Sequence, residues 1–270
     1  MLSNFSNWNP KKRIIKVLIT YVLWTLIYSI ICNISNPAYI PNAFFKNVLT
    51  GGAAAVMYYI FVYCEFTLLI PFIDKLAKSR FKYWGFVITP IEIVVMRLMP
   101  LITGREINVY ISTIRSISCL GWFTYFCLGY LLGNKLISIN TASKTIPLLW
   151  MFSILLQIAE GFYFYSLGDV NCGTQLKLTS IISGVLFVLM AYNYVINGKS
   201  RRIKVLELLR DNSFGIYFSH MAVMIIIGYI PVYTRSVTYP MTAVITIVLT
   251  TTCVLLGKSI LGRYSIYLAL

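Results

Sequence analysis

Residues 211–224, DNSFGIYFSHMAVM, decide the class of fold. Asp, Asn and Ser are preferred at the start of a helix, and an almost uninterrupted apolar run follows them. Ser213, Tyr217 and His220, the only histidine, are spaced i, i+4 and i+7 and therefore share one face of that helix. Polar groups are costly in lipid, so this face is expected to point towards protein or a water-filled cavity. Spacing alone leaves a packing helix with a structural histidine as the alternative.

The composition of the whole chain agrees with a membrane protein. Of its 270 residues, 59% are hydrophobic and only 11% are charged, which is too apolar for a soluble domain of this size. The formal net charge of +15 is distributed in short basic clusters between apolar runs, so no nucleic-acid partner is expected. The six cysteines form no CxxC pair and show no metal-ligand spacing, and neither a metal nor a bound cofactor is expected.

Apolar segments long enough to cross a bilayer predict an all-α, polytopic transmembrane helix bundle of about eight spans, forming a single domain over residues 1–270. The predicted spans are 14–32, 51–73, 83–101, 111–133, 146–167, 178–196, 211–233 and 237–256. Residues 33–47 are expected to form a loop, Pro90 to kink the third span, and the amphipathic segment 197–210 to lie at the interface as a helix. Most of the 23 basic residues fall in alternate flanks that include both termini, which the positive-inside bias places in the cytoplasm.

Charged residues within the spans form two layers at matched depths. With a helical rise of about 1.5 Å per residue, Glu65, Glu92 and His220 lie about 13 Å from the cytoplasmic ends of their helices. Arg97 and Glu160 lie about 21 Å from that side, and we expect them to face one cavity and to pair. A charge at a helix centre costs at least about 2.5 kcal/mol in lipid, so the layers indicate a polar cavity that enters the bundle. The alternative is that the depths agree by accident, or that the Arg97 side chain extends to the outer surface of the membrane.

Four stretches carry a resemblance to a known family. They are KKRIIKVLITYVLW (11–24), GGAAAVMYYIFVYCEFTLLIPFI (51–73), WFTYFCLGYLLG (122–133) and SFGIYFSH (213–220). In this order and spacing, which covers nearly the whole chain, they resemble the acyltransferase-3 family of integral-membrane O-acyltransferases.

The resemblance implies an enzyme of the cell membrane, most simply the bacterial plasma membrane. Such an enzyme transfers an acyl group, usually acetyl, to a sugar hydroxyl of a surface polysaccharide or its lipid-linked precursor. Its partners are the bilayer, acyl-CoA as co-substrate and the glycan acceptor. The family's cytoplasmic Arg-x-x-Arg corresponds to Arg13-Ile14-Ile15-Lys16, so Arg13 and Lys16 are expected to contact the CoA phosphates. Lysine keeps the charge but loses the bidentate geometry of arginine. The alternative is that these cations only set the orientation of the helix in the membrane.

The predicted substrate cavity contains polar residues from several spans. They are Tyr59, Glu65, Glu92, Arg97, Glu160, Ser213, Tyr217 and His220.

The chain also departs from the family pattern. Family members usually have ten core helices, with the proposed catalytic histidine on the first helix about ten residues after an arginine. No such pair exists here, because His220 lies on a late helix. The resemblance therefore implies that two helices lie upstream of residue 1, and that the chain expressed by itself is inactive. The catalytic base stays unassigned, with His220, Glu65 and Glu92 as candidates.

Two other functions are open at this point. A membrane transporter or flippase for a glycan or lipid-linked sugar would also use a polar cavity near the membrane midplane. Matched inverted repeats would favour transport, and the sequence contains no convincing repeat. An inactive remnant of the acyltransferase family that binds partner helices is the third reading.

Overall fold

A computed structural model describes residues 9–104, 117–137, 145–169, 172–196, 204–230 and 241–268, and the regular structure of these residues is entirely helical. The helices are α1 Pro10–Cys32, α2 Ile40–Thr50, α3 Tyr59–Lys78, α4 Gly85–Ile93, α5 Met99–Thr103, α6 Phe123–Gly133, α7 Thr145–Ser166, α8 Leu178–Ile196, α9 Lys204–Asp211, α10 Ser213–Gly228 and α11 Met241–Leu261. A π-helical turn, Val94–Leu98, joins α4 to α5. Short 3-10 helices are Pro37–Tyr39, Lys82–Trp84, Cys119–Trp122 and Gly262–Leu268.

The all-helical prediction is confirmed, and the chain is a multi-pass membrane protein. Five described segments are long and apolar enough to cross a bilayer: Pro10–Cys32, Lys82–Thr103, Thr145–Ser166, Leu178–Val195 and Met241–Leu268. Two shorter apolar helices are Cys119–Gly133 and Ser213–Gly228. The count of eight spans and the cytoplasmic position of both termini stay predictions.

The chain divides into two compact units, and the boundary falls inside α3. The first unit contains residues 9–67 and 202–270, and therefore α1, α2, the start of α3, and α9 to α11. The second unit contains residues 68–201, with the rest of α3 and α4 to α8.

An aromatic core holds the first unit together. Tyr21, Trp24 and Tyr28 recur at i, i+3 and i+7 on one face of α1, and all three are buried. They pack with Phe218 of α10, whose ring stacks on that of Trp24 at 6.2 Å between centroids. The Trp24 indole N–H also donates to the Leu268 carbonyl at 3.0 Å, so the segment after α11 is fixed to α1.

The segment between α1 and α3 differs from the predicted loop. The prediction of a loop over residues 33–47 is wrong in its second half, because α2 begins there. Its second residue, Pro41, suits a first helical turn, where a backbone N–H would have no partner. Gly51, with φ +69°, ends α2 in the left-handed conformation. The predicted second span accordingly becomes α-helical only at Tyr59.

Pro90 lies inside α4, where its missing N–H leaves the Phe86 carbonyl without its usual helical donor. The hydroxyl group of Thr124, on α6, donates to this carbonyl at 3.1 Å. In the same contact, the Thr124 amide donates to the Thr89 hydroxyl oxygen at 3.0 Å. Threonine side chains therefore provide both a donor for the proline-exposed carbonyl and the α4–α6 packing contact.

The helix does not end at Pro90 but changes geometry after it. The π-helical turn over Val94–Leu98 follows α4 directly and carries Arg97. π-Helical turns are rare and occur frequently at functional sites. Here the turn sets the direction from which the Arg97 side chain leaves the helix.

The junction between α9 and α10 is built from polar groups. Of the amphipathic helix predicted over 197–210, the part from Lys204 is observed as α9, and residues 197–203 lie outside the described residues. Its place at the membrane interface stays a prediction. Asn212 donates from its side-chain amide to the Leu208 carbonyl at 2.6 Å and accepts from Lys258 Nζ of α11 at 2.5 Å. Beside it, the hydrogen bond from Arg210 Nε lowers the pKa of the exposed Asp211 carboxyl.

Candidate functional site

A pocket of about 510 Å³ opens beside the first turns of α1. Its lining comes from α1, α3, α10 and the segment after α11: Arg13, Lys16, Val17, Thr20, Tyr63, Phe214 and Ile266. The two cations are exposed and one helical turn apart. They lie in the first two turns of α1, near the end of the helix at which the dipole favours anions. The pocket can therefore hold an anionic group at its rim and an apolar or slender group against its wall.

Further along α1, Tyr28 fixes one turn of α10. Its hydroxyl donates to the Phe218 carbonyl at 2.6 Å and accepts from the Ala222 amide at 3.0 Å. These two groups are an i→i+4 pair of the same helix, and His220 lies between them in sequence. A fully buried side chain on another helix thus controls the backbone that carries the only histidine.

The geometry of His220 defines which ring nitrogen carries hydrogen. Nδ1 lies 3.0 Å from the Ile216 carbonyl of its own helix. A carbonyl only accepts hydrogen bonds, so Nδ1 must donate. In the neutral imidazole this leaves Nε2 with the lone pair, which is the arrangement that a general base requires.

Two tyrosines accompany the histidine. The Tyr217 ring lies 6.2 Å from the His220 ring and 5.8 Å from the Tyr59 ring, measured between centroids. The Tyr217 hydroxyl donates to the Val56 carbonyl, in the turn before α3. The structure therefore brings together three of the residues that the sequence predicts for the substrate cavity.

Ser213 and Glu65 also belong to the first unit but make different contacts. The Ser213 side chain is exposed, and its hydroxyl donates to the Arg210 carbonyl at 2.8 Å, at the start of α10. Glu65 is half-buried on α3, six residues after Tyr59. Ser213 therefore shares the helix face of His220 in register without reaching its ring.

In the second unit, Arg97 is buried and holds the loop between α7 and α8. Its guanidinium pairs with Asp169 Oδ2 at 2.8 Å and donates to the Thr174 hydroxyl at 2.9 Å and to the Leu176 carbonyl. It also lies over the Phe164 ring, 4.6 Å from the centroid. One cation thus links three points of the loop to the π-helical turn.

Glu160 does not pair with Arg97, and that prediction is wrong. Its carboxylate accepts from the amides of Leu178 and Thr179, at 3.1 and 2.9 Å, and from the Thr179 hydroxyl. The first amides of a helix lack intrahelical partners, so this carboxylate caps α8. The matched depths did not identify the partners, because residues of the loop between α7 and α8 and of the start of α8 contact Arg97 and Glu160 separately.

Glu92, the remaining charged residue predicted for the cavity, is buried on α4 with 9% of its surface exposed. One of its carboxylate oxygens would lie 3.7 Å from a Cβ atom built on Gly121. Its carboxylate therefore lies against the bare backbone of the short helix that precedes α6.

A family model described as an acyltransferase domain, of the acyltransferase-3 type, matches residues 11–258. The chain belongs to the acyltransferase-3 family. No curated protein and no solved structure matches it. The resemblance drawn from the four motifs is confirmed.

In this acyltransferase-3 chain, the predicted site residues divide between the two units. Arg13, Lys16, Tyr59, Glu65, Ser213, Tyr217 and His220 belong to the first unit, and Glu92, Arg97 and Glu160 to the second. Their roles, a shared substrate cavity, and the expected absence of a resident metal or cofactor stay predictions.

Sequence reasoning missed residues of this acyltransferase-3 chain that organise both units. In the sequence, Tyr28 is one of several aromatic residues of an apolar helix. The hydrogen-bond partners of its hydroxyl lie about 190 residues away along the chain. Asp169 lies in a segment predicted only as a turn. It is the one acidic residue of that turn, between α7 and α8, and this could have marked it as the partner of Arg97.

Proposed function

We propose that the chain transfers an acyl group, most simply acetyl, from acyl-CoA to a hydroxyl group of a cell-envelope glycan or its lipid-linked precursor. Family membership supports acyl transfer in a membrane. The main support for acyl-CoA as the donor is the pocket beside α1. It is lined by Arg13 and Lys16, the two cations expected to contact the CoA phosphates.

The chemistry of the pocket suits CoA. Phosphate groups form strong, charge-assisted hydrogen bonds with arginine and lysine. The helix N-terminus adds a favourable dipole for the same anions. Beyond the cations, Val17, Thr20 and Tyr63 offer a largely apolar wall for the slender pantetheine arm. The predicted topology opens this end of α1 to the cytoplasm, where acyl-CoA is made.

His220 is the base that the geometry of the first unit supports best. With Nδ1 donating to the Ile216 carbonyl, Nε2 can accept the proton of the acceptor hydroxyl. The hydroxyl oxygen then bonds to the thioester carbonyl carbon and the C–S bond breaks. The CoA thiolate takes the proton from Nε2 of His220, leaves as free CoA and returns the histidine to its starting form. The products are one glycan ester and one CoA thiol.

The test replaces the chromosomal copy of the gene with variant alleles and measures transfer in isolated membranes. Membranes receive radiolabelled acetyl-CoA below saturation, and alkali-labile label in the envelope glycan is counted. Arg13→Ala and Lys16→Ala should each lower kcat/KM about tenfold, the lower end for a lost hydrogen bond to a charged group. His220→Ala should lower kcat about 10²–10⁴-fold.

Lys12→Ala is the matched control, because Lys12 has the same charge in the same helical turn but lies outside the pocket. Its rate should stay within about twofold of wild type, as expected for a screened surface charge. Membranes that incorporate no label from acetyl-CoA, or an equal loss in Lys12→Ala, would reject the proposed donor site.

A further inference from the structure

A second pocket, of about 460 Å³, runs along the outer surface of α7. One wall is a stripe at helical spacing: Ile154, Gln157, Ile158, Gly161, Phe162 and Tyr165. The other wall is the loop before α8, with Cys172, Gly173 and Lys177. Both walls belong to the second unit, and no residue of the donor pocket contributes to them.

Lys177 places a buried positive charge at the end of this groove. Only 5% of its surface is exposed, and its ammonium donates to the Cys172 carbonyl at 3.1 Å. An ammonium has three donors, and among the described residues this carbonyl is its one hydrogen-bond partner. Its other two donors have no hydrogen-bond partner within the described part of the chain.

The bare backbone of Gly161 makes room for this charge. A Cβ atom at Gly161 would lie 3.2 Å from Lys177 Nζ and 3.5 Å from the Cys172 carbonyl oxygen. The glycine thus allows the ammonium to lie against α7, beside the apolar stripe. A side chain at this position would take space from the head of any ligand bound there.

Among the described residues, the neighbouring charged groups have other partners and form no ion pair with Lys177. Glu160, next to Gly161 in sequence, directs its carboxylate to the amides of α8. Arg97 and Asp169 form a pair of opposite charges. Lys177 therefore keeps donors for a ligand, and a head group that accepts hydrogen bonds from an ammonium, above all an anionic one, suits this end of the groove.

The rest of the groove is suited to hydrocarbon. The side chains of Ile158, Phe162 and Tyr165 are 51%, 70% and 71% exposed, and α7 is long and apolar enough to cross a bilayer. An exposed apolar stripe on such a helix is suited to contact with lipid acyl chains. An occupant must therefore combine an anionic head with an apolar chain.

We propose that this groove binds one anionic glycerophospholipid of the surrounding membrane. Its phosphodiester accepts hydrogen bonds from Lys177 Nζ, and one acyl chain lies along the stripe of α7. A phosphodiester carries one negative charge, which matches the single ammonium, whereas the phosphomonoester of a polyprenyl phosphate carries up to two. The site is independent of the acyl-CoA pocket, and its test does not require transfer activity.

The experiment measures lipid binding to the purified full-length protein by native mass spectrometry. The probes are phosphatidylglycerol, phosphatidylcholine, polyprenyl phosphate and inorganic phosphate, each titrated separately. Phosphatidylglycerol should bind at least about tenfold more tightly than phosphatidylcholine, in line with charge-assisted hydrogen bonding. Lys177→Met should remove this preference, whereas Lys46→Met, at an exposed lysine of α2, should keep it.

Gly161→Ala separates lipid binding from a structural role of Lys177. Alanine favours a helix over glycine, so thermal stability should not fall, while phosphatidylglycerol binding weakens at least severalfold. Phe162→Ala should weaken binding, and Phe152→Ala, on α7 but outside the groove, should not. The proposal fails if Lys177→Met and Gly161→Ala both keep full phosphatidylglycerol affinity. It also fails if polyprenyl phosphate binds more tightly, or if millimolar inorganic phosphate displaces the lipid.

Discussion

Replacing Tyr28 with phenylalanine should move His220 while changing stability little. The variant removes one buried hydroxyl, which donates to the Phe218 carbonyl and accepts from the Ala222 amide. Each net hydrogen bond contributes about 0.5–1.5 kcal/mol, so the two together contribute about 1–3 kcal/mol. In the variant, however, the freed amide and carbonyl can bond to each other as an ordinary i→i+4 pair. The expected loss of unfolding free energy is therefore about 1 kcal/mol, or about 2–4 °C in Tm.

The position of the histidine can be followed directly because His220 is the only histidine in the chain. Nitrogen-15 NMR of histidine-labelled protein in nanodiscs gives one imidazole, and its two nitrogen shifts report the tautomer. Wild-type protein should show hydrogen on Nδ1, bonded to the Ile216 carbonyl. In Tyr28→Phe, rearrangement of the 218–222 turn should change these shifts and reduce the population of the Nδ1–H form.

Tyr21→Phe is the control from the same buried face of α1. Its hydroxyl lies 2.9 Å from both the Asn47 and the Val48 carbonyls, so its hydrogen-bond partners are at the end of α2 and not on α10. This variant should also lose about 1 kcal/mol, within the range for one buried hydroxyl donor, and keep the wild-type imidazole shifts. If Tyr28→Phe leaves the His220 spectrum unchanged, or if Tyr21→Phe alters it as much, Tyr28 does not position the histidine.

Two further predictions concern the second unit. In double-mutant cycles of thermal stability, Arg97→Ala and Asp169→Ala should couple by more than about 1 kcal/mol, and a larger coupling between Arg97 and Glu160 would contradict the observed pairing. Thr124→Val should cost about 1–3 kcal/mol by leaving a buried carbonyl without its donor. In a Pro90→Ala background, where the amide of residue 90 can supply that donor, the cost should shrink, and an unchanged cost would reject the explanation.

Much of the fold follows from hydrophobicity, and the exceptions have physical causes. Apolar runs predicted the helices because backbone groups in a bilayer must bond internally. The prolines near residue 40 suggested a loop, although Pro41 occupies the position where a helix tolerates proline. Depth along separate helices could not identify the partner of Arg97, because the Asp169 carboxylate arrives on a loop that no periodicity describes.

Some residues of the candidate site could be predicted from the sequence and others could not, for similar physical reasons. Arg13 and Lys16 could be found because the motif places both in one helical turn, and the structure puts them in one pocket. The grouping of Tyr217 with His220 follows from helical register. Tyr28 was missed because its hydrogen bonds depend on how two helices that are distant in sequence pack together. This packing cannot be derived from a single sequence.

The most direct test of the account is whether Arg13 and Lys16 recognise the phosphates of the acyl donor. Equilibrium binding of acetyl-CoA and of acetyl-4′-phosphopantetheine, which lacks the adenosine phosphates, is measured on the purified protein in nanodiscs. Wild-type protein and Lys12→Ala should both prefer acetyl-CoA by about tenfold or more, and the double variant Arg13→Ala/Lys16→Ala should lose that preference. Equal affinity of the wild-type protein for both compounds, or a preference that survives in the double variant, would contradict the account.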